Sequence, residues 1–297
     1  TFLLDEFSLF FKVLFIAVTM VVFLISHEYT DGRRQFGSEF YVLMLLSTAG
    51  MMMLSSVADL LTLYIALELA TLPIAALATL LRDGRSSEAG LKFLVLSGIS
   101  SAVLLYGLVL IYGFTGTTVL VDISHQLSNI SLEPGLPFGS YTLLFAIVLI
   151  IAGFGFKITA VPFHMWAPDV YQGSPTPVTA FLAVASKSVG FAVLIRIFYI
   201  ALPLDILSVD WGSVFAVLAA LSMTVGNLIA ISQNNIKRML AYSSIAHAGY
   251  LMIGLAAVAS RSTGSDVGMG LSGVLYYLAG YAAMNLATFG VVIVVSA

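Results

Sequence analysis

The sequence predicts an all-α, polytopic bundle of transmembrane helices, and three observations carry that reading. The 297 residues are 60% hydrophobic and only 9% charged, with a mean hydropathy of +1.05, whereas soluble domains carry about 25% charged residues. Apolar stretches of about 18 or more residues, enough helix to cross a hydrocarbon layer about 30 Å thick, recur along the whole chain. The polar breaks between them are mostly short, so residues 1–297 read as a single membrane domain of about nine spans with no soluble domain.

The spans are expected at 7–26, 39–57, 60–81, 90–114, 141–170, 177–203, 212–232, 238–259 and 271–296. Asp5 and Glu6 precede the first, the wrong charge sign for a signal-peptide start. The cluster Met51 to Met53 in the second, and Ser97, Gly98 and Ser101 in the fourth, read as close helix packing. The third carries Glu68, with Pro73 five residues on as a candidate bend. Residues 115–140 combine a brief amphipathic piece with Pro134, Gly135, Pro137 and Gly139, which suits a segment lying on the membrane surface.

Residues 141–170 exceed one crossing and contain Gly153, Gly155, Pro162 and Pro168, which predicts a helix interrupted just after Lys157. Proline removes a backbone hydrogen bond and frees carbonyls to face water or an ion, and discontinuous helices near the midplane mark transporters. In the last span Tyr277, Tyr281 and Asn285 form one helical stripe, which either joins helices or lines water. The chain opens on Thr1 and ends within GVVIVVSA, which reads as a piece of a longer polytopic protein. Arg33, Arg34, Arg82, Arg85, Lys237 and Arg238 fall on one face and Arg261 on the other, with Lys12 and Arg196 nearer the second. The positive-inside rule makes the first face cytoplasmic and puts Thr1 outside.

Composition also narrows the chemistry. A net charge of −3, scattered along the chain, gives no footprint for nucleic acid. The absence of cysteine removes disulfides, thiolate metal sites, iron–sulfur clusters and a cysteine nucleophile. His27, His125, His164 and His247 show no i, i+4 pairing, so neither a metal nor a redox cofactor is expected in this chain.

Glu68, Lys157 and Lys187 stand well inside apolar runs. An ionisable group facing lipid there costs several kcal/mol, about 2.5–3.5 even on a lenient scale, so each should face the bundle interior or a hydrated cavity, most often on a proton or ion path. The alternatives are a protonated, core-bonded Glu68 and lysines that snorkel, although both lysines lie too deep for a four-carbon stem. Lys92, His164 and His247 are weaker candidates, balanced against a positive-inside anchor for the first and core hydrogen bonding for the other two. Arg196 reads as a structural or snorkelling charge.

These segments resemble subunit N of bacterial respiratory complex I, the NADH–quinone oxidoreductase, a family homologous to antiporter subunits. The resemblance rests on LYIALELATLP around Glu68, RSSEAGLKFLVLSGISSAVLLYGLVLIYGFTGTT around Lys92, GFGFKITAVPFHMWAPDVYQGSPTPVTAF around Lys157, ASKSVGFAVLIRI around Lys187 and NNIKRMLAYSSIAHAGY around His247. It implies an antiporter-like fold with inverted repeats, each holding an interrupted helix and a central lysine. Glu68 and Lys157 would be the acid and lysine of a first half-channel with its core at 60–203, Lys187 the connecting lysine and Lys92 a lysine near the entry. The second interrupted helix would follow Ala297.

The implied activity is proton translocation driven by quinone reduction elsewhere in the complex, in the bacterial inner membrane. NADH, FMN, iron–sulfur clusters and quinone would belong to partner subunits. Rival readings are a subunit of an Mrp-type Na⁺/H⁺ antiporter or membrane-bound hydrogenase, a structural membrane scaffold, and a lipid-acting enzyme centred on HMWAPD.

Overall fold

The computed structural model describes residues 2–31, 37–129, 137–202, 204–259 and 267–296. The first three helices, α1 (Glu6–Asp31), α2 (Ser38–Ser55) and α3 (Leu60–Ala78), pack in sequence. Small polar residues stitch them: Thr19 and Thr48 hydroxyls meet at 2.9 Å, and Ser47 donates to the Ala70 carbonyl at 2.7 Å. Asp59 caps α3 by accepting from the Thr62 amide and hydroxyl, both at 2.8 Å. The helix runs through Pro73 without a break.

Asp83 caps α4 (Gly84–Thr115) through the Ser86 amide, which starts this helix six residues before the expected span, and Gly116 ends it at φ +71°. The amphipathic piece becomes α5 (Leu120–Asn129), too short to cross a membrane and held to the start of α3 by Leu60 N–H to Thr118 O and Leu120 N–H to Ala58 O, both 2.9 Å. Pro134 and Gly135 of the expected loop, and Arg33, Arg34 and Arg261 of the charge asymmetry, lie outside the described residues.

Next, α6 (Pro137–Ile158) stops one residue past Lys157 and α7 (Trp166–Gly173) resumes after an irregular turn, the interruption that its glycines and prolines predict. The sixth span divides into α8 (Thr176–Phe181), a π turn (Leu182–Ser186), α9 (Lys187–Arg196) and a second π turn (Ile197–Ala201). The chain continues through α10 (Leu204–Ile231), α11 (Ile236–Ala259) and α12 (Val267–Ser296). Among the described residues nine helices are long and apolar enough to cross a membrane.

The most apolar window of Thr176–Ala201 is wholly buried inside the bundle, with Tyr199 exposed near its end, whereas only 22% of the corresponding window of Trp211–Ile231 is buried. The former is the central helix. Helices α1, α2, α3, α6 and α12 all touch its segments, so an ionisable side chain on it faces other helices rather than lipid.

Candidate functional site

Lys157 occupies the last turn of α6 because the backbone cannot continue past it. Thr159 takes φ +62°, a left-handed conformation that is costly for a β-branched residue. The groups freed by the break find partners within the turn: Ala160 N–H bonds Gly155 O at 2.8 Å, Trp166 Nε1 donates to Phe156 O at 3.0 Å, and Val161 N–H donates to Ser222 Oγ on α10 at 2.9 Å. The first two bonds close the turn on α6, and the third ties it to α10.

Lys157 is 6% exposed, and its Nζ donates to Thr71 Oγ1 at 2.7 Å. Thr71 lies one turn beyond Glu68 on α3, which puts acid and threonine on one helix face. Half-buried Glu68 accepts at Oε1 from Ser101 of α4 at 2.5 Å. Glu68 and Lys157, the acid and lysine that the resemblance assigns to one half-channel, make no ion pair within 4 Å here. A cavity of about 10 Å³ beside Lys157 has a mixed wall, with Thr71, Ser97, Ser100 and Ser101 facing Leu104, Phe154 and Phe156.

Lys187 begins α9 directly after the first π turn, a helix irregularity often found at functional sites. It is 1% exposed, and its Nζ donates to Ser244 of α11 twice, to the hydroxyl at 2.7 Å and to the carbonyl at 2.5 Å. The Ser244 hydroxyl also meets Tyr171 OH of α7 at 3.3 Å, while burial pushes the Tyr171 phenol above its ordinary pKa against the opposing effect of that bond. The Tyr281 ring lies 6.0 Å from Lys187 Nζ, and Tyr281 OH donates to Ala183 O at 3.2 Å.

His247 Nδ1 bonds Tyr277 OH at 2.5 Å, and its ring centroid is 5.2 Å from that of Tyr281. Of the expected polar stripe, Tyr277 and Tyr281 therefore join helices, while Asn285 donates to Tyr281 O on its own helix at 2.9 Å.

The remaining candidates lie apart from this interior. Lys92 is a solvent-accessible lysine paired with Glu88 at 2.7 Å and Asp169 at 3.0 Å. The other Asp169 oxygen accepts from Arg238 at 2.7 Å, so one carboxylate ties α4, α7 and α11 together at a cleft of about 180 Å³. Burial acts to raise the Asp169 pKa, but hydrogen bonds and attraction from Lys92 and Arg238 outweigh it and hold it below the usual carboxylate value. His164 lies in the turn after Lys157, half-buried, with no hydrogen bond to Nδ1. Burial lowers its pKa despite the nearby Pro162 carbonyl.

Arg196 shows how this fold treats a structural charge. It is 3% exposed and forks onto both oxygens of Asp5 at 2.7 Å, with Ser55 O at 3.0 and 3.2 Å. The side chain is braced inside the bundle rather than snorkelling. Sequence reasoning missed Thr71, Ser244 and Tyr171, and met Asp169 only as part of HMWAPD, not as the partner of Lys92 and Arg238.

The family described as NADH:quinone oxidoreductase/Mrp antiporter, TM, matches residues 55–297. NADH-quinone oxidoreductase subunit N of Heliobacterium modesticaldum is 51% identical over 97% of this chain and 57% of that protein; the subunit N of Dehalococcoides mccartyi is 46% identical over 99% and 60%. Respiratory complex I from Thermus thermophilus with bound aureothin contains a chain superposing with a TM-score of 0.76 at 36% identity, over 97% of this chain and 57% of that one. A chain of the Mrp complex from Dietzia sp. superposes with a TM-score of 0.78 at 24% identity, over 97% and 50%, a likeness of fold alone. The chain spans 57% to 60% of the length of these two curated relatives.

Proposed function

This chain belongs to the NADH:quinone oxidoreductase/Mrp antiporter family, and from that premise we propose that it is a proton-translocating membrane-arm subunit, of type N, of a bacterial NADH–quinone oxidoreductase. Identities of 46% and 51% to proteins named subunit N favour this over the Mrp reading, whose solved relative stands at 24%.

One observation carries the mechanism. Lys157 and Lys187 are buried in spanning helices with only hydroxyl and carbonyl oxygens as hydrogen-bond partners, and neither forms an ion pair among the described residues, whereas buried Arg196 is neutralised by Asp5. Removing one partner of a buried ion pair is strongly destabilising, so a brace keeps its counterion. A lysine whose charge must come and go is served better by hydroxyls, which can accept from the ammonium or donate to the neutral amine.

In this reading residues 60–203 form the core of a first half-channel. Glu68 and Lys157 act as its charge switch, Lys187 passes the proton along the central helix, and His247 extends the path through Tyr277. Lys92 and His164 take lesser parts, at the entry cleft and beside the break. The chain works in the inner membrane among other membrane subunits, and NADH, FMN, iron–sulfur clusters and quinone are assigned to partner subunits.

The test is Glu68→Gln in the full-length subunit within its assembled complex. NADH oxidation and proton pumping should fall together, on the order of tenfold, with assembly intact; pumping at the unaltered rate would remove Glu68 from the path.

A further inference from the structure

Glu68 on α3 and Lys157 on α6 are of opposite charge type, yet each is docked on a hydroxyl instead of on the other. The direction of these bonds is fixed by chemistry. Thr71 Oγ1 spends its proton on Leu67 O at 2.7 Å, which leaves its lone pairs to accept from the Lys157 ammonium. Ser101 donates its proton to Glu68 Oε1. Thr71, Ser101 and Lys157 also share the wall of a small cavity of about 10 Å³.

We propose that Thr71 and Ser101 are positioning residues that bias the Glu68–Lys157 pair toward the open arrangement, each by anchoring one charged group on its own hydroxyl. This deepens the proposed function and rests on it. An acid and an amine in a weakly screened interior attract strongly, and an open state persists only if other bonds compensate. Each hydroxyl supplies one charge-assisted bond that favours the open arrangement, so deleting either shifts the pair toward the closed state by about tenfold. A switch biased to one side turns over slowly.

The test uses the full-length subunit in its assembled complex, reading NADH-driven proton uptake per amount of complex. Thr71→Val keeps the branched shape and loses the hydroxyl; Thr71→Ser keeps the hydroxyl and loses a methyl. If the hydroxyl matters, Val lowers uptake about tenfold and Ser less than about twofold; if Thr71 only packs, Ser is the more harmful. Ser101→Ala should match Thr71→Val, and it decides the matter if Thr71→Val fails to assemble. In a Glu68→Gln background there is no ion pair to hold open, so Thr71→Val should cost less than about a further twofold. Losses that multiply in the double variant, or full activity in both Thr71→Val and Ser101→Ala, overturn the proposal. Full activity in Glu68→Gln alone overturns the underlying function instead.

Discussion

Lys187 donates to both oxygens of Ser244, the hydroxyl at 2.7 Å and the carbonyl at 2.5 Å, and through that hydroxyl it connects to Tyr171. The central helix and α11 are thus bridged by a titratable amine where an apolar contact would serve packing as well. Lys187→Met preserves much of the stem while removing the amine, so quinone-coupled turnover should fall on the order of tenfold with the complex still assembled. Activity assays on membranes with matched complex content check this, and full turnover would make the lysine a packing residue.

Ser244→Ala should be milder. The carbonyl still accepts from Lys187 when the hydroxyl is gone, but the link to Tyr171 is lost. Turnover should drop about threefold, roughly the worth of one modest hydrogen bond. A loss as deep as that of Lys187→Met would show that the hydroxyl, not the carbonyl, holds the amine.

The Arg196–Asp5 fork predicts an acid-sensitive fold. Burial acts to raise the Asp5 pKa, but bonds from Arg196 and Ser8 outweigh it, so the folded-state value lies below the ordinary 3.8. A depressed carboxylate contributes stability that is fully present above its unfolded pKa and is lost as pH falls through the folded one. Asp5→Asn should therefore melt lower than the unaltered protein at about pH 6, with the gap closing below about pH 4. Thermal unfolding in detergent across that range tests this, and a gap independent of pH would contradict it.

Helices α10 and α11 pack through glycines. A Cβ on Gly226 would lie 2.7 Å from Ala246 N, and one on Gly249 2.9 Å from Met223 N. These neighbours are backbone and cannot rotate away, so Gly226→Ala should destabilise by about 1–3 kcal/mol, the usual cost of overpacking. A melting temperature unchanged within error would show that the helices can separate without cost.

Much of the fold was legible because membrane solvation leaves few choices. Long apolar runs must be helices, and the glycines and prolines around Lys157 marked the break to within a residue of where α6 ends. Lys157 and Lys187 announced themselves as charges in apolar sequence. Their partners did not, because Thr71 and Ser244 are small hydroxyl residues of the kind found throughout spanning helices, where each commonly bonds its own backbone. Asp169 sat at the end of the expected span 141–170, and only tertiary structure sets it between Lys92 and Arg238. Asp5 is 191 residues from Arg196 in sequence, a pairing no local pattern carries. The π turn before Lys187 left no mark either, since LAVAS suits any buried helix.

The central claim is that Lys157 moves protons and does not merely brace the helices it joins. It is tested most directly by Lys157→Met in the full-length subunit, measuring NADH-driven proton uptake in sealed membrane vesicles against the amount of assembled complex. The account predicts normal assembly with proton uptake and quinone reduction falling together on the order of tenfold. An assembled Lys157→Met complex that pumps at the unaltered rate would contradict it and leave the scaffold reading in its place.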